Sequence, residues 1–205
     1  MSNSIKLAIL GLGTVGTGVI NLINDNLNEL KRRSGRDIII TEVGTRRQRD
    51  DIDTNIMQNS DLMAIAASDN VDIVIEVIGG TTLAKDVIMQ AIKNGKHVVT
   101  ANKAVMATFP RELHDLSMQT QSNLFYDAAV GGSIPVIKVL RNGVQLHRTT
   151  KIEAVLNGTC NFILDQMSSK GQSFEDALKD AQSAGFAEAD PSMDVDGVDT
   201  AQKLA

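Results

Sequence analysis

The sequence predicts an α/β protein, a doubly wound parallel sheet followed by a second, incomplete α+β domain, and three observations carry that prediction. Short branched apolar runs alternate with helix-spaced amphipathic runs from Ile5 to about residue 126. A glycine-rich turn joins the first apolar run to the first helical one. Beyond Ala129 the alternation gives way to mostly helical segments and a loop rich in Gly and Asp.

Ile5 to Leu10 is short, branched and apolar, which reads as a strand. From Thr14 to Arg33, the apolar residues Val15, Val19, Ile20, Leu22, Ile23, Leu27 and Leu30 fall mostly at helical spacing. Asp37 to Val43 and Val71 to Ile78 are further branched runs, with a helix-like Asp61 to Ala67 between them. Leu83 to Asn94 reads as a helix stopped by Gly95, and His97 to Thr100 as a strand. Arg111 to Gln121 reads as a helix entered after Pro110, and Asn123 to Tyr126 as a strand. Such alternation calls for parallel strands with crossover helices on both faces.

The expected domains are residues 1–129 and 130–205. In the second, Ile134 to Arg141 reads as a helix, Lys151 to Leu156 as a strand, and Asn161 to Ser169 and Ser173 to Ala184 as helices. Gly185 to Asp199 reads as a loop, and a helix beginning near Val198 still runs at Ala205, so this domain reads as unfinished.

Composition narrows the function. Lys plus Arg number 20 against 25 Asp plus Glu, a formal charge of -5 over 205 residues, which repels a phosphate backbone. With no Trp, one Tyr and five Phe, the chain also lacks stacking platforms, and nucleic acid is excluded as an expected partner. Cys160 is the single cysteine, a usage that fits a reducing compartment. The first apolar run is interrupted by Lys6 and meets glycines without a cleavage site, and charged or amide residues interrupt every apolar stretch. A cytoplasmic protein with no membrane partner is expected.

Gly11-Leu12-Gly13-Thr14-Val15-Gly16 fits G-x-G-x-x-G between a strand and a helix. In that Rossmann-type context the first glycine permits the turn, the second lets a pyrophosphate approach the main chain, and the third allows close packing of the helix. The free helix N–H groups and dipole attract the anion. A purely structural turn is the competing reading. At the tip of the second strand stand Arg46 and Arg47, whose guanidinium forks suit a 2′-phosphate and favour NADP. A solvated basic loop is the alternative, and Glu42 would hold a ribose, and NAD, if the strand ended earlier.

Glu188, Asp190, Asp194, Asp196 and Asp199 crowd one short segment. An EF-hand alignment fails, because it puts Lys203 where calcium requires a carboxylate. The remaining readings are a pocket for an amino group, or a solvated helix entry with Asp196 as N-cap and Asp199 paired to Lys203 at i,i+4. Lys103 follows a strand at its carboxyl end, where open α/β sheets carry ligand-contacting groups; a surface lysine is the alternative.

Across essentially the whole chain the sequence resembles homoserine dehydrogenases, through the glycine turn, Thr100-Ala-Asn-Lys103, Ala128-Ala-Val-Gly-Gly-Ser-Ile-Pro135, Asn157-Gly-Thr-Cys-Asn161, and the block from Gly185 to Asp199 with Lys203. The resemblance implies NAD(P)-dependent interconversion of L-homoserine and L-aspartate 4-semialdehyde, on the route from aspartate to threonine, isoleucine and methionine. It implies that Glu188 and Asp194 bind the amino-acid substrate, that Asp199 and Lys203 manage the proton, and that Lys103 lies between nicotinamide and substrate. It also implies a sodium or potassium ion on main-chain oxygens of Asp127, Val130, Gly132 and Ile134, and a homodimer in the complete enzyme. This chain has Asp127 where the family commonly has Glu, and Ser133 where it has a third Gly; the family also continues well past Lys203. Two rivals stand beside this reading: a non-catalytic dinucleotide-binding fragment, and a related oxidoreductase acting on another semialdehyde.

Overall fold

The computed structural model describes residues 4–144 and 148–205, and the chain divides into two compact units, Met1–Gly132 and Ser133–Ala205. The expected boundary after Ala129 falls inside a short helix, because the chain closes that last turn of helix before leaving the first unit.

The first unit is built on β1 (Ser4–Leu10), α1 (Thr14–Asp25), α2 (Leu27–Ser34), β2 (Asp37–Gly44), β3 (Met57–Asn59), α3 (Leu62–Ala67) and β4 (Ile73–Glu76). It continues through α4 (Thr82–Lys93), β5 (His97–Thr100), α5 (Lys103–Thr108), α6 (Pro110–Thr120), β6 (Leu124–Phe125) and α7 (Asp127–Val130). The six strands are parallel in the order β3-β2-β1-β4-β5-β6. The order reverses between β1 and β4, and a crevice at the carboxyl ends of those strands is the binding position of such sheets.

Burial on both faces explains the near-continuous apolar strands. Ala8 and Leu10 of β1 pack into one layer with Ile65, Val74, Val87 and Ile88. Ile9, between them, packs into the other with Ile20, Ile40 and Val43. A one-residue slip of β1 would exchange these sets, so the register is strongly specified. The β1–β2 ladder shifts between Leu7 and Ala8, and the extra residue, Thr41, turns its hydroxyl to the carbonyl of Asn70 at 2.8 Å.

Periodicity predicts one helix over Thr14 to Arg33, and the structure has two. Asn26 breaks it: the side-chain amide donates back to Leu22 O at 2.8 Å, competing with the backbone ladder. The sequence reading also has no counterpart for β3 or α5.

The second unit contains α8 (Val136–Asn142), α9 (Gly158–Lys170), α10 (Phe174–Ser183), α11 (Ser192–Val195) and α12 (Val198–Leu204). Ile163, Ala177 and Ala181 form its core, and Phe162 stacks on Phe186 with ring centroids 4.8 Å apart. The strand expected over Lys151 to Leu156 does not form, since β-propensity becomes structure only where a ladder partner exists. Among the described residues, no helix is long and apolar enough to cross a membrane.

Candidate active site

In the first unit the site begins at the glycine turn, whose three glycines differ in what holds them. Gly11 has φ +103°, donates its N–H to Gly44 O at 3.0 Å, and would put a Cβ 2.7 Å from Val77 O. At Gly16 a Cβ would lie 1.8 Å from Gly11 O. Both are required by the fold. Gly13 meets nothing within 4 Å and has an ordinary φ of -76°, so the fold itself does not ask for glycine there. A ligand approaching the main chain would. Thr14, Val15 and Gly16 open α1, whose first turn has no side-chain cap and no acidic residue, so its amides and positive dipole end are left for an anion.

Gly11, Leu12 and Gly13 line a cleft of about 1000 Å³ together with Thr45, Arg46 and Arg47. The latter two are exposed on the loop after β2. The cleft thus combines an open glycine, an uncapped helix start and two guanidinium-bearing residues, which suit a phosphate-bearing ligand. Glu42 does not take the ribose-binding place. β2 runs on to Gly44, which leaves Glu42 inside the strand at 4% exposure, accepting the Ser68 hydroxyl.

Sequence reasoning missed Arg49. Its guanidinium donates to Leu12 O at 2.7 Å and Thr17 Oγ1 at 3.1 Å, and grips Asp51 through Nε and Nη2. It thereby ties the arginine loop to the glycine turn. Nothing local signals a contact between residues 37 positions apart.

Glu76 was missed too. Wholly buried at the end of β4, it accepts the Ile78 N–H at 2.9 Å and the Thr100 hydroxyl at 2.5 Å. Thr100 Oγ1 receives the Asn102 N–H at 3.0 Å; Asn102 caps α5 through Val105 N–H and donates to Gly80 O at 2.7 Å. Lys103, half-buried, is the first residue of α5, directly after this frame.

In the second unit the structure brings Asp194, Asp199 and Lys203 together around Asn157, and leaves Glu188 outside. The ammonium of Lys203 donates to Asp199 Oδ2 at 2.7 Å and to Leu156 O at 2.8 Å. Asp194 accepts from Asn157 Nδ2 at 2.7 Å and Thr159 Oγ1 at 3.0 Å, and the same Nδ2 reaches Asp199 Oδ2 at 3.0 Å. Asp199 is 4% exposed, so its pairing with Lys203 is not the solvated surface pair that i,i+4 spacing alone suggests. Gly197, in the left-handed conformation, takes the N-cap of α12 in place of Asp196, whose side chain is exposed. Glu188 is exposed, and its main-chain carbonyl receives Gln182 Nε2 at 3.1 Å. Asp190, bonded by the Ser192 side chain and N–H, is held below the usual carboxylate range.

Beside Asp194, burial pushes the Cys160 thiol above its ordinary pKa, and the negative charges of Asp194 and Asp199 push it further. The helix expected from Asn161 begins three residues earlier, at Gly158, with Asn157 as its N-cap; neither that start nor the turn of the amide and the Thr159 hydroxyl toward Asp194 was legible in the sequence.

An ammonium has three donors, and Lys203 directs two of them to Asp199 and Leu156. The third suits an oxygen on which negative charge develops. Of the carbonyls expected to hold a monovalent cation, Asp127 O already accepts the Gly131 N–H at 2.9 Å and Ile134 O the Val136 N–H at 2.8 Å. Among the described residues no group of three His, Cys, Asp or Glu side chains is placed to hold a metal.

Comparison with known proteins agrees with both halves. A family model for the NAD-binding domain of homoserine dehydrogenase matches residues 11–127, and one for homoserine dehydrogenase matches residues 135–205. The homoserine dehydrogenase of Pseudomonas aeruginosa is 43% identical over 201 residues, covering 98% of this chain and 46% of that protein. A crystal structure of the enzyme from Thiobacillus denitrificans is 40% identical with a TM-score of 0.87, over 98% of this chain and 47% of that one. A hyperthermophilic archaeal homoserine dehydrogenase in complex with NADPH is 26% identical, TM-score 0.83, over 98% of this chain and 67% of that one. The chain spans about half the length of the curated relatives it matches. With a dinucleotide-type turn on one unit, a lysine paired to a buried aspartate on the other, and both units matched in sequence and in structure, the chain belongs to the homoserine dehydrogenase family.

Proposed function

We propose that this chain provides the dinucleotide-binding unit and the proton-handling residues of an enzyme interconverting L-homoserine and L-aspartate 4-semialdehyde, with NADP preferred over NAD. A nicotinamide dinucleotide, when bound, supplies or accepts the hydride. Gly13 and the first amides of α1 would hold its pyrophosphate, and Arg46 and Arg47 its 2′-phosphate. The observation that carries the reading is the restraint of Lys203 by Asp199 and Leu156, which fixes the ammonium while one N–H stays available to a substrate oxygen.

In the reducing direction Lys203 donates a proton to the carbonyl oxygen as charge builds on it; in the oxidising direction it receives the hydroxyl proton. Such proton transfer is worth roughly 10²- to 10⁴-fold in rate. Asp194 and Glu188 are the proposed carboxylates for the substrate ammonium, and Lys103 shares the polarisation of the carbonyl. A sodium or potassium ion on the carbonyls of Asp127, Val130, Gly132 and Ile134, a homodimeric assembly, cytoplasmic residence and a place in threonine, isoleucine and methionine synthesis belong to the same reading.

Incubating the intact enzyme with homoserine and NADP, and following the absorbance of reduced nicotinamide, tests it. Growth of that absorbance with homoserine is expected. Turnover with a different hydroxy or amino acid and none with homoserine would overturn the substrate assignment.

A further inference from the structure

We infer that Asn157 is a positioning residue for this reaction: its side-chain amide sets the separation and orientation of Asp194 and Asp199, and through Asp199 the direction of Lys203. The inference rests on the proposed function for its kinetic consequence, and on geometry for the rest.

Asn157 is the N-cap of α9, where its Oδ1 accepts the Cys160 N–H at 2.7 Å. That bond decides which end of the amide is which, because only an oxygen accepts from a backbone N–H. The nitrogen end must therefore face the opposite way, and there it meets Asp194 Oδ1 at 2.7 Å and Asp199 Oδ2 at 3.0 Å. The residue is 5% exposed, so water does not readily replace either bond. One amide thus stands between two carboxylates that would otherwise repel at close range.

The charged and titratable groups packed here are Cys160 of α9, Asp194 of α11, and Asp199 and Lys203 of α12; α10 turns Ala177 and Ala181 to this core. Two carboxylates against one ammonium leave the cluster one negative charge in excess, which suits an ammonium-bearing substrate. Asn157 holds that excess charge in place without neutralising it.

Exchange of Asn157 for Asp separates capping from positioning. An aspartate keeps the acceptor for Cys160 N–H, and with it the start of α9, while both amide donors vanish and a third carboxylate joins the cluster. The measurement uses the intact enzyme. In Asn157→Asp, kcat/KM for homoserine is expected to fall roughly tenfold or more at neutral pH, since two bonds to charged acceptors are lost. Affinity for NADP should be unchanged. The deficit should shrink as the pH is lowered, because a proton taken up by the three carboxylates restores a donor.

Asn157→Ala, which removes cap and donors alike, is expected to lower the melting temperature as well. If Asn157→Asp keeps wild-type kcat/KM and pH profile while Asn157→Ala only loses stability, Asn157 is a cap alone and the inference fails. A readout free of turnover separates this from failure of the functional reading: in a crystal structure of Asn157→Asp the carboxylates of Asp194 and Asp199 should stand farther apart than in the wild type, with the Asp199–Lys203 contact redirected. Unchanged positions of Asp194, Asp199 and Lys203 would overturn the inference whatever the substrate proves to be.

Discussion

Lys203 Nζ lies 2.7 Å from Asp199 Oδ2, in a pair whose carboxylate is 4% exposed. The geometry makes the lysine a restrained donor, since Asp199 and Leu156 O fix the ammonium from two sides. Lys203→Met should reduce kcat by about 10²- to 10⁴-fold and leave the dissociation constant for NADP unaltered, as expected of a group that acts in the transition state. It should also destabilise the fold by ~1 to 3 kcal/mol, because a nearly buried carboxylate loses its cation. Steady-state kinetics and urea unfolding check the two halves separately; wild-type kcat would remove Lys203 from the chemistry.

Gly13 and Gly16 should respond oppositely to the same substitution. Gly16→Ala drives a methyl group to within 1.8 Å of Gly11 O, and the helix must move, at a cost of about 1 to 3 kcal/mol or more. Gly13→Ala meets nothing, so its effect on stability should stay within about 1 kcal/mol, the usual difference at an N-cap. Its Cβ would occupy the open space where a pyrophosphate would sit, so dinucleotide affinity should drop by roughly tenfold or more. Thermal melts with and without NADP distinguish the outcomes, and undiminished stabilisation of Gly13→Ala by NADP would move the phosphate site elsewhere.

Arg46 and Arg47 should govern the choice between dinucleotides. Replacing both with Ser removes two cations from the cleft and should weaken NADP by about 10- to 100-fold, with little change for NAD, since each bond to a charged group is worth ~1.5 to 3 kcal/mol. Equal losses for both dinucleotides would mean a general electrostatic effect. Arg49→Met tests the loop's support: Arg49 spends its donors on Leu12 O, Thr17 and Asp51, so its removal should weaken both dinucleotides alike.

Local pattern revealed the elements whose neighbours lie close in sequence. β5, the limits of α4 and the glycine turn all follow from branched runs, a terminating Gly95 and strand-to-helix punctuation. The break at Asn26 was not legible, because an amide that bonds back to Leu22 O is outweighed by apolar periodicity on both sides. β3 is three residues long, two of them amides, and forms where β2 offers an edge. Lys151 to Leu156 shows the converse, strand-like residues with no ladder among the described residues. The site follows the same division. Asp199 and Lys203 share one helix face by spacing, so their contact could be anticipated. Asp194 joins them only through Asn157 and Thr159, 35 to 37 residues away, and Glu188, equally acidic in sequence, remains exposed.

Cys160 offers a test of that cluster that needs no turnover. Its thiol donates to Asp194 O at 3.2 Å, and burial first, then the charges of Asp194 and Asp199, raise its pKa. The thiolate is the reactive form, so between pH 7 and about 9 alkylation should run several-fold slower than for an unhindered model thiol. Asp194→Asn removes one of the two charges and should accelerate labelling, though not to the model rate, since burial is the larger cause. The sign for stability follows by linkage. Folding raises this pKa, so the contribution is complete below the unfolded thiol's pKa and is lost as the pH rises through the folded value. Wild-type stability should therefore decline at alkaline pH more steeply than that of Cys160→Ala, which has no thiol to ionise. Parallel curves for the two proteins would show that Cys160 does not feel the carboxylates around Asn157.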